Sequence, residues 1–185
     1  ALYPVLHWHA AKCVTAPRIP LVPRPLRRPA RHAGPTLVGN GTDYSAQVSG
    51  TISQATGTFQ DVSSGITEQG YVGGSGSLTD NAFSLQLNSQ FFAGSSACSG
   101  ASKPSSCQAW QQFVYTYEGS TNSYLFMQYW LINYGATCPS GWNSYGSDCY
   151  TNSNAAQVST LTASQLATVQ LSGSATSGGN DGVSL

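Results

Sequence analysis

The chain has little charge, and its histidines all lie near its beginning. Only 8% of the 185 residues are charged, and the last of the three histidines is His32. Residues 33–185 therefore offer no imidazole for Ser–His–Asp or Cys–His catalysis, unless His32 is brought to them, and none for a His-based zinc site. C-x-x-C pairs, phosphate loops and G-x-G-x-x-G are also absent. These absences predict a protein without a bound metal or cofactor.

Long apolar runs and repeats are missing as well. No apolar stretch reaches the length of a membrane span, so we expect none. No secretory signal is visible. The absence of heptads and internal repeats leaves the sequence without a signal for any oligomeric state.

Charge, glycine and proline divide the chain near residue 35. The first 32 residues carry six cations and no acid, whereas the remainder carries Lys103 against seven acids. Six of nine prolines lie at or before Pro29, and every glycine lies at Gly34 or later. We therefore predict a disordered basic Pro/Arg-rich arm over residues 1–35 and one domain over 36–185. We interpret the arm as a linker, a pro-segment remnant or foreign sequence rather than a nucleic-acid tail, and expect no nucleic acid on the domain.

The composition of the domain favours strands. Thr, Val, Tyr, Phe and Trp suit a pleated surface, and Gly, Asn and Ser make turns. Candidate strands lie at 44–48, 51–59, 65–72, 83–88, 109–117 and 124–134. Residues 155–171 fit either a short helix around 163–169 or a strand, and we predict a loop and then a strand. Short antiparallel strands at this spacing predict an all-β fold, an antiparallel two-sheet β-sandwich. The chain stops inside the alternating pattern GVSL, which indicates a truncated C-terminus.

Two neighbouring strands carry large side chains on both faces. In residues 109–117, Trp110 and Val114 lie on one side, and Phe113 and Tyr115 lie on the other. The segment GSTNS predicts a hairpin turn between this strand and 124–134. Such strands belong in the middle of a sheet covered on both sides. Alternatively, one face lines an aromatic ligand groove.

Four of the five cysteines form two local pairs. Cys98 and Cys107 flank SGASKPSS, and Cys138 and Cys149 flank PSGWNSYGSD. Four cysteines allow three connectivities, of which we predict the sequential one. Two bridges would indicate an oxidising compartment, so we expect an extracellular or periplasmic protein. Cys13 is left as a free thiol.

Two blocks carry a resemblance to known proteins. CQAWQQFVYTY and LFMQYWLINYG, with the following CPSGW and DCY, resemble a group of secreted bacterial proteins of unknown function. More distantly they resemble the glutamic peptidases (eqolisins), and YSAQVSGTISQATGTF is similar to the opening strands of such sandwiches. The resemblance covers about residues 36–185 and implies a concanavalin-like β-sandwich.

The resemblance also implies candidate catalytic positions. Glutamic peptidases activate a water with a Gln and a Glu on nearby strands. Gln112 matches the Gln, whereas Tyr129, with Gln128 beside it, stands where the Glu would be. A general base must be titratable and close to the water, so this departure argues against peptidase activity. Glu118, at the lip of the hairpin, is the second catalytic candidate, and its alternative interpretation is a solvated turn residue.

Amides and aromatic rings on the two blocks favour binding. Sugar rings need a flat apolar face and bidentate amides, although Trp110, Trp130 and Phe113 also fit a core. The predicted ligand-binding residues are Gln112, Gln128, Tyr129, Trp130 and Asn133. We predict a secreted binding module for a glycan or cell-surface polymer, with a polypeptide as the other ligand class. The alternatives are a glutamic-peptidase-like acid hydrolase and a structural or effector protein.

Overall fold

A computed structural model of the protein describes residues 12–22, 46, 48–72, 76–119 and 122–185. Nearly all regular structure in these ranges is β, in antiparallel sheets that pack together, which confirms the predicted all-β sandwich. Most of the candidate strand at 44–48 lies outside the described residues. In the part of the chain that is described, no helix is long and apolar enough to cross a membrane.

The described residues form twelve strands, numbered here in chain order. They are β1 (Cys13–Thr15), β2 (Gln54–Thr58), β3 (Gln69–Tyr71), β4 (Leu78–Asp80), β5 (Ser84–Asn88), β6 (Gln108–Tyr117), β7 (Ser123–Ile132), β8 (Asn143–Tyr145), β9 (Asp148–Asn152), β10 (Asn154–Val158), β11 (Gln170–Ser174) and β12 (Gly182–Ser184). Short 3-10 helices span Ser96–Gly100, Pro104–Ser106 and Ala163–Thr168.

The region 155–171 differs from the predicted loop and strand. It begins within β10 and passes through a 3-10 helix before β11. Thr162 and Gln165 form a capping box at the start of that helix, which satisfies backbone donors there. This local hydrogen bonding ends the strand pattern that the apolar spacing alone favours.

The strands form one large sheet, one small sheet and a two-stranded ribbon. The large sheet has the order β1-β10-β7-β6-β5, and β9 also pairs with β7 and carries β8 on its other side. The small sheet has the order β12-β11-β2, and β3 pairs with β4. The two long strands β6 and β7 therefore lie at the centre, joined by the predicted hairpin.

One side of β6 and β7 faces the small sheet, and we call it the sandwich face. Tyr115 and Leu125 pack there against Leu171 of β11. The two sheets approach closely at Gly173, where an added Cβ would lie 2.5 Å from Cγ of the Phe113 ring. The Phe113 ring of the large sheet therefore occupies the space that a side chain at position 173 would take.

Both predicted disulfides are present. Cys98 joins Cys107, and Cys138 joins Cys149. Their sulfurs pack in one apolar cluster that includes Leu131. Loops of this length give roughly 2.5–3 kcal/mol of stabilisation per bridge by the chain-entropy estimate.

Residues 12–22 lie within the segment that the sequence assigns to the basic arm, and they are the part of it that the structure describes. β1 extends the large sheet by pairing with β10. Ala16 is buried against Val114 and Phe126. Val14 and Leu21 pack in the same apolar cluster, and burial of these side chains removes apolar surface from water. The predicted domain boundary at 35 and all three histidines lie outside the described residues.

Candidate functional site

The second side of β6 and β7 carries buried amides, and we call it the amide face. The strand register sets Gln112 opposite Gln128, and Gln128 opposite Asn152 of β9. The side chains of Gln112 and Gln128 are 0% exposed. Buried amides are costly unless every polar atom finds a partner. The face therefore has to supply a connected hydrogen-bond network.

The network runs across four strands. Gln112 Nε2 donates to Gln86 Oε1 at 2.9 Å, and Gln128 Nε2 donates to Asn152 Oδ1 at 2.8 Å. The indole Nε1 of Trp130 joins the two halves, because it lies 3.0 Å from Gln112 Oε1 and 2.8 Å from Gln128 Oε1. We call the four amides the amide row: Gln86, Gln112, Gln128 and Asn152.

An aromatic cluster flanks the amide row. Trp130 is fully buried and stacks on Tyr150 with ring centroids 5.1 Å apart. Trp110 is also buried, and its indole N–H donates to the Ser89 carbonyl at 2.7 Å. These rings pack beside Gln112 and Gln128, which are fully buried. Both tryptophans thus occupy the core, as one of the two sequence interpretations has it.

The amide row holds the main chain of residues 17–21. Asn152 Nδ2 donates to the Pro17 carbonyl at 2.9 Å, and Gln128 Nε2 donates to the Ile19 carbonyl at 2.8 Å. In return, the N–H of Leu21 donates to Gln128 Oε1 at 2.9 Å. The row therefore contacts the backbone of residues 17–21 through donors and acceptors alike.

The chemistry of the row is uncharged. Gln112 hydrogen-bonds to Gln86 and Trp130, and no carboxylate in the described ranges bonds to it. Proton transfer needs a titratable group within hydrogen-bond reach. Amides and indoles instead form hydrogen bonds with carbonyls, N–H groups and hydroxyls. The arrangement is thus suited to binding.

Tyr129 lies away from the other predicted ligand residues. Neighbouring residues of a strand point to opposite faces, so Tyr129 is on the sandwich face. There its hydroxyl donates to Asp181 at 3.3 Å, and Gln111 Nε2 donates to the same carboxylate at 2.8 Å. Burial, and then the negative charge of Asp181, raise the pKa of Tyr129 to about 12. Register therefore selects Gln128, rather than Tyr129, as the neighbour of Gln112.

Asn133 and Glu118 also lie apart from the amide row. Asn133 occupies the turn after β7 with φ of 56°, and its N–H donates to Asp148 at 2.8 Å. Glu118 is at the hairpin, where its carboxylate accepts from the Thr116 hydroxyl at 3.0 Å. Burial raises the pKa of Glu118, and the hydrogen bond from Thr116 partly offsets this. The structure thus unites Gln112, Gln128 and Trp130 but neither of these two.

A scan against protein-family models and searches of curated proteins and solved structures found no match for this chain. The resemblance to secreted sandwiches and glutamic peptidases consequently stays a prediction from the sequence blocks. Among the described residues, no group of three or more His, Cys, Asp or Glu side chains is placed to hold a metal ion.

The sequence did not single out several residues that build this site. Gln86 and Asn152 complete the amide row, Tyr150 stacks on Trp130, and residues 17–21 lie on the face. Alternation in SLQLN and DCYTN does place Gln86 and Asn152 on one face of their strands. Only the pairing register of the strands, however, places the four amide side chains next to one another.

Proposed function

We propose that this protein is a binding module that takes an extended polypeptide on its amide face. The observation that carries the proposal is the main chain of residues 17–21, which is seated on Gln128 and Asn152. Side chains that read backbone groups accept many sequences, because every residue offers a carbonyl. The polypeptide class named from the sequence is therefore favoured over the glycan, which stays a prediction.

We further infer that the module works outside the cell or in a periplasm. Its two disulfides support this compartment, since such bonds form and persist where conditions are oxidising. No hydrogen bond of Gln112 favours the peptidase alternative, which rests on the resemblance alone.

The test uses the full chain with an engineered protease site between residues 22 and 46, cleaved after folding. A fluorescent peptide spanning residues 12–22, with Cys13→Ser, is titrated against the cleaved and intact proteins by anisotropy. We expect saturable binding to the cleaved protein and much weaker binding to the intact one, whose own segment competes at a high effective concentration.

Matched variants locate the binding on the amide row. Asn152→Ala removes the donor to the Pro17 carbonyl and should weaken binding about 2- to 12-fold. Asn88→Ala is the control, because the Asn88 side chain is exposed and hydrogen-bonds to Gln86 rather than to residues 17–21. Equal effects of the two variants, or displacement of the peptide by cellohexaose, would contradict a polypeptide site.

A further inference from the structure

The amide face contacts carbonyls far more than N–H groups. Three consecutive carbonyls receive a donor: Pro17 from Asn152, Arg18 from the Tyr150 hydroxyl at 3.4 Å, and Ile19 from Gln128. Only one N–H of the segment, that of Leu21, finds an acceptor on the row. A ligand that fits this pattern offers carbonyls while bringing few N–H groups that need partners.

Proline meets that requirement. Pro17 and Pro20 carry no N–H, so the segment brings no unpaired donor at either position, and both are partly buried on the face. Any other residue at these positions would bring an N–H, whereas Gln128 Oε1 and Asn152 Oδ1 already accept hydrogen bonds. An N–H that finds neither an acceptor nor water would cost free energy, and proline avoids that cost.

Proline also fixes the shape that the face receives. Its ring holds φ near the polyproline II value, and the residue before a proline is kept out of the helical region. Ala16 and Ile19 each precede a proline, so both are kept out of the helical region, while the two prolines have a fixed φ. The spacing of three between the prolines equals one turn of a polyproline II helix.

Apolar contacts anchor the two ends of the segment. Ala16 is buried, and Leu21 packs in the same cluster as Val114 and Phe126. The side chain between them, Arg18, is exposed. The face therefore accommodates a small residue followed by proline at the N-terminal end of the segment, and a proline followed by an apolar residue at its C-terminal end.

We propose, resting on the function proposed above, that the ligand class is a proline-rich segment in polyproline II conformation with the pattern small-Pro-x-x-Pro-apolar. Residues 16–22 are a resident copy of this ligand, which a partner's segment replaces. The ligand is recognised by Gln128, Asn152 and Tyr150 through consecutive carbonyls and by the apolar cluster through its ends.

The test compares two peptides on the cleaved full chain. The first spans residues 12–22 with Cys13→Ser, and the second also carries Pro17→Ala and Pro20→Ala. We expect the second to bind about 4- to 30-fold more weakly, because two prolines no longer restrict the free peptide and two N–H groups are added. In the protein, Tyr150→Phe should weaken binding of the first peptide, since it removes the donor to the Arg18 carbonyl.

The outcomes separate the two proposals. Equal affinity of the two peptides would overturn the preference for proline while leaving a polypeptide site in place. No binding of either peptide to a cleaved chain with unchanged near-ultraviolet circular dichroism would overturn both proposals. If the Tyr150→Phe protein binds the first peptide with unchanged affinity, the ligand is not recognised through three consecutive carbonyls.

Discussion

Single polar side chains decide whether the buried face of the large sheet is stable. Gln128 illustrates this, because it is fully buried and serves Asn152, Trp130 and two backbone groups of residues 17–21 at once. Removing one member of such a network leaves its partners without hydrogen bonds in a place that water does not reach.

Gln128→Leu should lower the free energy of unfolding by at least about 1–3 kcal/mol, because it leaves buried donors and acceptors unpaired. Gln157→Leu, in the neighbouring strand β10, is the matched control. Its side chain is exposed and hydrogen-bonds to Asn122 at the surface, so water can replace the lost contact and the change should stay within about 0.5 kcal/mol. Urea denaturation of both variants measures the difference, and similar losses in the two would contradict the role given to burial.

Glu118 gives the protein a pH dependence of known sign. Burial raises its pKa above the ordinary 4.5, so the folded chain holds this proton more tightly than the unfolded chain. Its stabilising contribution is therefore complete below pH 4.5 and is lost as the pH rises through the folded pKa. Glu118→Gln should remove that part of the decline, measured as the difference in unfolding free energy between the two proteins from pH 4 to 7. A flat difference would be the contrary result.

At the scale of elements, a close approach of the two sheets depends on Gly173. Gly173→Ala should cost about 1–3 kcal/mol, because a Cβ would lie within 2.7 Å of three atoms of the Phe113 ring. Gly57→Ala, in β2 of the same small sheet, is the control, since its Cβ would meet only the flexible end of Leu87 at 3.2 Å. Thermal denaturation compares the two.

A second substitution distinguishes crowding from a general effect of alanine. Phe113→Leu, added to Gly173→Ala, should recover part of the lost stability because the smaller side chain makes room for the methyl group. If the two losses simply add, the sheets do not meet at this point as described.

Several elements were predictable because their signals are local. The alternation in 83–88 and the two-faced pattern in 109–117 gave β5 and β6, and the polar loops between cysteines gave both disulfides. Register was not predictable, because it depends on how the hairpin at 118–122 closes, and a shift of one residue exchanges Gln128 for Tyr129. The docking of residues 12–22 likewise depends on a distant apolar face that no local pattern reveals.

At the scale of the whole molecule, coverage differs sharply between the centre and the periphery. β6 and β7 are covered on one face by the small sheet and on the other by aromatic side chains and residues 16–22. The ribbon of β3 and β4 instead leaves Tyr71 and Leu78 more than half exposed. Local stability should follow this contrast.

Native-state hydrogen exchange should therefore find the slowest amides in β6 and β7, near the global free energy of unfolding, and fast exchange in β3 and β4. Uniform protection across all the strands would contradict this ordering. Cleavage between residues 22 and 46 should speed exchange in β10 more than in β5, because β1 pairs only with β10.

The uncharged character of the amide row sets the solution conditions that the seated segment tolerates. None of the four amides titrates, and the contacts to residues 17–21 run through backbone groups, so the exposed guanidinium of Arg18 takes no part. Added salt, which screens attraction between charges, leaves such contacts largely intact. We therefore expect residues 17–21 to stay bound at low and at high salt concentration, whereas a basic tail bound by acidic side chains would dissociate as salt is added.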